Sequence, residues 1–303
     1  MSKTSDFTAR IARNDILLMP GAMGTELQRR GYDTKLPLWS AGANLEAPDL
    51  VEQIHYDYLL AGADICVTNT FRTTPRTYAK LGKAELAREA MRAAVEAARR
   101  AARRIENRPV YIAGSFTTLE DCYEVDLVPP DDALTAEHNE QAAWLAEFGA
   151  DFLLPETINS GREAKAMATA ASATGLPFFI TFVVDAQGCL LDGTTLAEAV
   201  RLTDMAGRLG IGINCRPLDT IDAAVGTLAR AYAGPKIVYA NGLGHPHDDL
   251  GWIFEENEDS VQKYVRSAQG WQANGVCLIG GCCGTTPAYI AALSAALQHS
   301  KAA

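Results

Sequence analysis

The amino-acid sequence predicts an α/β protein, a single (β/α)8 TIM barrel, from three observations. Short apolar stretches alternate with helical patterns eight times along 303 residues. Alternating βα units imply a parallel sheet, and eight of them suit a closed barrel. No linker or shift of composition interrupts them, so residues 1–303 read as one domain. The polar and sulfur-bearing residues that stand out come directly after strands, at the end of a barrel where active sites are built.

Residues 1–15 are polar, mixed in charge and without the apolar core of a signal peptide. The first strand, 16–19, runs into Pro20-Gly21-Ala22-Met23-Gly24-Thr25, where glycines allow either a close backbone approach to a ligand or an ordinary turn. Pro48 opens a helix to 61 with Val51, Ile54, Tyr58 and Leu59 on one face, closed by Gly62. His55 within it reads as a core or surface histidine, not a ligand. The second strand, 63–71, ends in Thr68-Asn69-Thr70-Phe71, residue types that also serve as a plain cap. Residues 83–107 form a long alanine-rich helix. Its early acids (Glu85, Glu89) and late arginines (Arg99, Arg100, Arg103, Arg104) complement the helix dipole. With no aromatic residue interleaved, those arginines mark a solvated helix end.

The third strand, 109–113, leads through Gly114-Ser115-Phe116-Thr117 into a long loop, 118–132. Long loops in compact domains are uncommon and often functional. Asp121, Tyr123, Glu124 and Asp126 there either hold a cationic ligand or keep the loop soluble. A helix over 135–148 follows, and the fourth strand, 150–155, delivers Glu156-Thr157. That carboxylate meets a ligand's ammonium, pairs with a structural cation, or faces water. Ser160 with Glu163 forms a capping box, and Thr195 with Glu198 caps a helix to 209 after the fifth strand, 177–184, and a loop over 185–193. The sixth strand, 210–214, ends at Cys215, with a helix over 217–232. The seventh, 236–240, opens into 241–249, where His245, His247, Asp248 and Asp249 read as part of a turn in preference to a metal site. A helix spans 260–273. The eighth strand then runs into Gly280-Gly281-Cys282-Cys283-Gly284, with Thr286 as N-cap and Pro287 opening the last helix.

A net charge of -10 argues against an extended nucleic-acid surface, and no apolar run is long enough to span a bilayer. Seven cysteines, an odd number, without an export signal fit a reducing cytoplasm. A homo-oligomer is compatible with this composition. Adjacent cysteines rarely bridge each other, because the geometry is strained. Cys215, Cys282 and Cys283 therefore read either as small buried residues or as three thiolates around a zinc ion with its fourth position open. Cys66, Cys122, Cys189 and Cys277 read as buried residues.

Gly212-Ile213-Asn214-Cys215 and Gly280-Gly281-Cys282-Cys283-Gly284, with Thr285-Thr286-Pro287 behind them, resemble the homocysteine S-methyltransferase family. That family includes betaine–homocysteine methyltransferase and the homocysteine domain of cobalamin-dependent methionine synthase. The resemblance runs from about Leu17 to about Leu293. It implies a cofactor Zn2+ on Cys215, Cys282 and Cys283, and a glutamate, here Glu156, on the amino group of homocysteine. It also implies an active site bordered by the stretch containing Thr70 and by Asn214. Backbone N–H groups around Gly21 to Thr25, those of Gly21 and Ala22 foremost, are candidates to hold the acceptor's carboxylate. Two departures stand out: Pro20 replaces a usual acidic residue, and Tyr239-Ala240-Asn241 replaces Tyr-Pro-Asn.

The implied reaction gives methionine. The thiol of homocysteine, or of a similar small molecule, takes the open zinc position as a thiolate and attacks an activated methyl group in line. The protein contributes positioning, with no general base. A small donor of the S-methylmethionine, S-adenosylmethionine or betaine type is expected, since one barrel uses the whole chain and leaves no cobalamin or folate module. Trp39 and the loop over 118–132 are candidates to cage such a cation. Two alternatives stay open: a zinc-binding or redox-sensing barrel without methyl transfer, and a methyltransferase that needs a separate corrinoid partner.

Overall fold

The computed structural model describes residues 2–242, 244–247, 251–255 and 258–298. Its strands are β1 (Leu17–Leu18), β2 (Ile65–Val67), β3 (Tyr111–Phe116), β4 (Phe152–Pro155), β5 (Phe178–Phe182), β6 (Arg208–Asn214), β7 (Lys236–Ala240), β8 (Gly244–His247), β9 (Gly251–Phe254) and β10 (Val276–Gly281). Its helices are α1 (Lys3–Ala12), α2 (Met23–Arg29), α3 (Ala43–Glu46), α4 (Pro48–Leu60), α5 (Pro75–Ala79), α6 (Ala87–Arg103), α7 (Asp131–Phe148), α8 (Gly161–Ala173), α9 (Leu196–Leu202), α10 (Leu218–Ala231), α11 (Glu258–Ala273) and α12 (Pro287–Gln298).

Eight strands pair in parallel in the order β1-β10-β7-β6-β5-β4-β3-β2, while β8 and β9 form a separate antiparallel hairpin. The remaining seam of the barrel, between β1 and β2, is stitched by Asp64. Its backbone N–H donates to Leu18 O at 2.7 Å, and its carboxylate accepts from Leu18 N at 2.9 Å. Side chains alternate across the sheet as a strand's period of two requires. On β3, Tyr111 and Ala113 join the barrel interior, while Ile112 and Phe116 join the layer shared with the helices.

The segment before the first strand is a helix that the sequence reading did not anticipate. Ser2 caps α1, and Phe7 and Ile11, one turn apart, are both buried. Phe7 stacks on Phe152 at 4.2 Å between ring centroids and meets Tyr111 at 5.1 Å, so α1 plugs the N-terminal end of the barrel. Other expectations shift at their edges. The helix expected to reach 209 stops at Leu202, and β6 starts at Arg208 after a left-handed Gly207 (φ 87°). Leu209 lies at helical spacing from Leu202, but it packs against the barrel interior. The helix expected over 83–107 is a 3-10 turn at Ala84–Leu86 followed by α6. α7 begins at Asp131, directly after Pro130, with two acids in its first turn. Ser160 and Thr195 do cap α8 and α9. The Glu163 carboxylate, however, turns to Leu119 N and His138 Nε2 instead of closing the capping box. The stretch expected as a turn around His245 and His247 is strand β8, while Asp248 and Asp249 lie outside the described residues.

Candidate metal centre and flanking cavities

Cys215 directly follows β6, and Cys282 and Cys283 directly follow β10, on opposite sides of β7. Parallel register brings the two strand ends level: Cys215 N donates to Tyr239 O at 3.1 Å and Cys282 N to Ala240 O at 2.8 Å. The three sulfurs lie within 4.8 Å of one another, with Cys215 and Cys283 Sγ 3.9 Å apart. Glycine is required beside them. A Cβ on Gly281 would sit 2.3 Å from Thr285 Oγ1, and Gly284 (φ 75°) would drive one into the Trp252 ring. Cys215 itself holds a left-handed backbone (φ 53°), as do Trp39 (φ 53°) and Thr157 (φ 61°) nearby. Such strain in non-glycine residues gathers at functional sites.

Thiol-to-thiol hydrogen bonds from Cys282 and Cys283 hold the Cys215 thiol well below its ordinary range; the same contacts push Cys282 and Cys283 well above theirs. Three sulfurs this close cannot all be anions unless a cation sits among them. As a donor set they suit a soft divalent metal. The other cysteines are unpaired and lie outside this group. Burial pushes the thiols of Cys66 and Cys277 up to about 12 and about 11, so both stay neutral.

Two cavities meet at the sulfurs. The smaller, about 130 Å³, is walled by Pro20, Gly21, Ala22, Glu156, Cys215 and Cys282, among others. Glu156 is 8% exposed; it accepts hydrogen bonds from Ser115 Oγ and from Tyr239 OH (2.6 Å). Burial raises its carboxyl to about 7 against the lowering effect of those two hydroxyls. His55 also lines this cavity; its Nε2 has no hydrogen-bond partner among the described residues, and burial lowers its pKa to about 4, so the ring is neutral near pH 7. The larger cavity, about 540 Å³, reaches the sulfurs from the other side through Cys215 and Cys283, walled by Trp39, Tyr123, Trp252 and Arg216.

The residues singled out in the sequence divide accordingly. Gly21 and Ala22 line the smaller cavity, though the Ala22 N–H is already given to Thr285 Oγ1 at 3.3 Å. Thr70 is fully buried beside it and donates to Ser115 O at 2.5 Å; Thr68 and Asn69 form the wall instead. Asn214 is also fully buried, clasping Thr157 through its N–H (3.2 Å) and its hydroxyl (2.8 Å) and so fixing the turn after Glu156. Ser115, Tyr239 and Trp252 were not singled out as partners of the site. Ser115 and Tyr239 do follow the same rule of strand ends, which was the available signal.

A family model described as homocysteine S-methyltransferase matches residues 17–297. The homocysteine S-methyltransferase of Escherichia coli (strain K12) is 34% identical over 97% of this chain and 99% of its own length. The chain belongs to the homocysteine S-methyltransferase family. It is thus a methyltransferase that acts on the thiol of homocysteine. A selenocysteine Se-methyltransferase of Brassica oleracea var. italica is 29% identical over 91% of this chain and 87% of its own. In fold, the crystal structure of the Escherichia coli homocysteine methyltransferase MmuM, in its metallated form, superposes with a TM-score of 0.82. It is 32% identical and covers 95% of this chain and 98% of that one. Among the described residues no helix is long and apolar enough to cross a membrane.

Proposed function

We propose that this homocysteine S-methyltransferase is zinc-dependent, with Cys215, Cys282 and Cys283 as its three protein ligands and a small zwitterion as its methyl donor. The observation that carries the reading is the convergence of three sulfurs, from two strands, at the junction of two cavities. A closed structural site would use four protein ligands, whereas three leave room for a substrate. When bound, zinc would supply a soft Lewis acid that keeps an acceptor thiol in its thiolate form at neutral pH.

The smaller cavity is read as the acceptor's. Glu156 takes its ammonium group, an ion pair that would draw the raised carboxyl back to the charged form. Gly21 and Ala22 wall the same cavity, while Asn214 and Thr70 act by holding Thr157 and Ser115 in place. The larger cavity is read as the donor's. Trp39, Tyr123 and Trp252 line it with aromatic rings, which suit a sulfonium or quaternary ammonium. Arg216, whose Nε has no partner among the described residues, suits a carboxylate on the same molecule. S-methylmethionine, S-adenosylmethionine and betaine all have this pattern. The acceptor sulfur then forms its bond to the methyl carbon as the donor's own S–C or N–C bond breaks in line, the bonding pair leaving with the donor. The barrel contributes alignment and exclusion of water, not proton transfer. The same reading keeps residues 1–303 as one domain in the cytoplasm, where all seven unpaired cysteines would stay reduced.

The test is a methyl-transfer assay with homocysteine and each of the three donors. One of them should give methionine, and Arg216→Met should raise the KM for that donor about tenfold, the worth of one charge-assisted hydrogen bond. Turnover with none of them, but with a methylated corrinoid protein, would overturn the donor assignment.

A further inference from the structure

Tyr123 lies on the segment between β3 and α7 and is 42% exposed, an unusual setting for a large ring with no core to fill. Its hydroxyl nonetheless reaches inward, 2.9 Å from Cys215 O and 3.2 Å from Cys215 Sγ. The single O–H is shared between these two acceptors of one residue, whose backbone is left-handed (φ 53°). The segment is not free to swing away. Tyr123 N donates to Asp121 Oδ1 at 2.9 Å, and Asp121 in turn is held by Arg72 (3.3 Å) and, through its carbonyl, by Asn159 Nδ2 (3.3 Å). One residue earlier, Glu120 pairs with Arg76 (3.1 Å) on α5 and with Lys80 (2.7 Å) directly after it. Leu119 N is fixed to the buried Glu163 carboxylate at 2.9 Å. A solubilising loop would need none of these ties.

We propose that Tyr123 is a positioning residue for the methyl transfer: its O–H hydrogen-bonds the Cys215 sulfur, while its ring forms a wall of the cavity from which the methyl group arrives. The inference rests on the reading of Cys215 as a metal ligand. A hydrogen bond to a ligating sulfur fixes its orientation towards the ion, which favours metal retention. It also withdraws charge from the sulfur and so sets how much charge Cys215 passes to the ion. Among the described residues no other side-chain hydroxyl hydrogen-bonds any of these three sulfurs. The Cys215 ligand is thereby made different from the other two, on the side facing the larger cavity.

The test uses the full chain, loaded with cobalt(II) in place of zinc for spectroscopy and with zinc for competition against a chelator. Tyr123→Phe keeps the ring and removes one oxygen. It should move the thiolate-to-cobalt charge-transfer band to lower energy and weaken zinc retention about tenfold, at the lower end of what loss of an outer hydrogen-bond partner costs. The KM for the methyl donor should change little in Tyr123→Phe and rise clearly in Tyr123→Leu, which loses the ring as well. A Tyr123→Phe protein with the wild-type band and wild-type zinc affinity would overturn the inference while leaving the three-cysteine site intact. A wild-type chain that takes up no cobalt would overturn the metal reading first, and this inference with it.

Discussion

At Glu156 the site keeps a carboxyl almost out of water with two hydroxyls as its only recorded side-chain partners, and the consequence is a pH-dependent cost. The folded carboxyl titrates at about 7, against 4.5 for an ordinary glutamate. Between those values the folded chain holds a proton that the unfolded chain has released. Stability therefore falls as pH rises through that window, and the penalty is complete above pH 7. At 1.36 kcal/mol per unit the cost is about 3 kcal/mol. Glu156→Gln should make the metal-free protein more stable by up to this amount at pH 8 and by little at pH 4, measured by urea unfolding at both values. The same change should raise the KM for homocysteine about tenfold or more, because a charge-assisted hydrogen bond is lost. Glu156 was legible in the sequence as a carboxylate at a strand end. Ser115 and Tyr239 were not, because their role depends on the closed barrel: Ser115 stands on β3 beside β4, while Tyr239 reaches Glu156 from β7, with β5 and β6 between them in the sheet. Thr70 and Asn214 show the converse: their positions pointed to the substrate, but their polar groups are taken up by neighbouring backbone and by Thr157.

The elements that hold these residues were mostly legible because strands and helices announced themselves by period, proline and glycine. The exception is α1, whose short apolar pattern rests on Phe7 and Ile11 and gives little periodic signal, although both side chains are deeply buried. Phe7→Ala would empty a space among Phe152, Tyr111 and Phe179, and should cost about 3–5 kcal/mol, read as a lowered unfolding midpoint. Because α1 plugs the end opposite the sulfurs, kcat of the folded fraction should be unchanged. At the other end, the turn after β10 has no slack. Gly281→Ala places a methyl group 2.3 Å from Thr285 Oγ1 in the ideal geometry. It should displace Cys282 and Cys283 and lower zinc retention, even where circular dichroism still shows a folded barrel. The boundary of β6 was misplaced for a local reason: Leu209 continues the helical spacing of Leu202 while belonging to the barrel interior.

For the whole molecule, the barrel's closure is what turns distant signatures into one site. Cys215 and Cys283 are 68 residues apart in sequence and 3.9 Å apart at sulfur. Composition could exclude partners, and the paired cysteine signatures could suggest chemistry, but only the order of strands around β7 shows that the sulfurs meet between two cavities. A ligand that binds only the folded state stabilises it, so removing the metal with a chelator should lower the unfolding midpoint as well as abolish turnover, and zinc should restore both. The most direct test of the central claim is the zinc content per chain of protein purified under reducing conditions, for wild type and for Cys215→Ser. About one zinc per wild-type chain and a large loss in the variant are the results expected of a site with three thiolate ligands. A reduced wild-type chain that neither retains nor rebinds zinc, or a Cys215→Ser chain that holds it as tightly as wild type, would contradict the account.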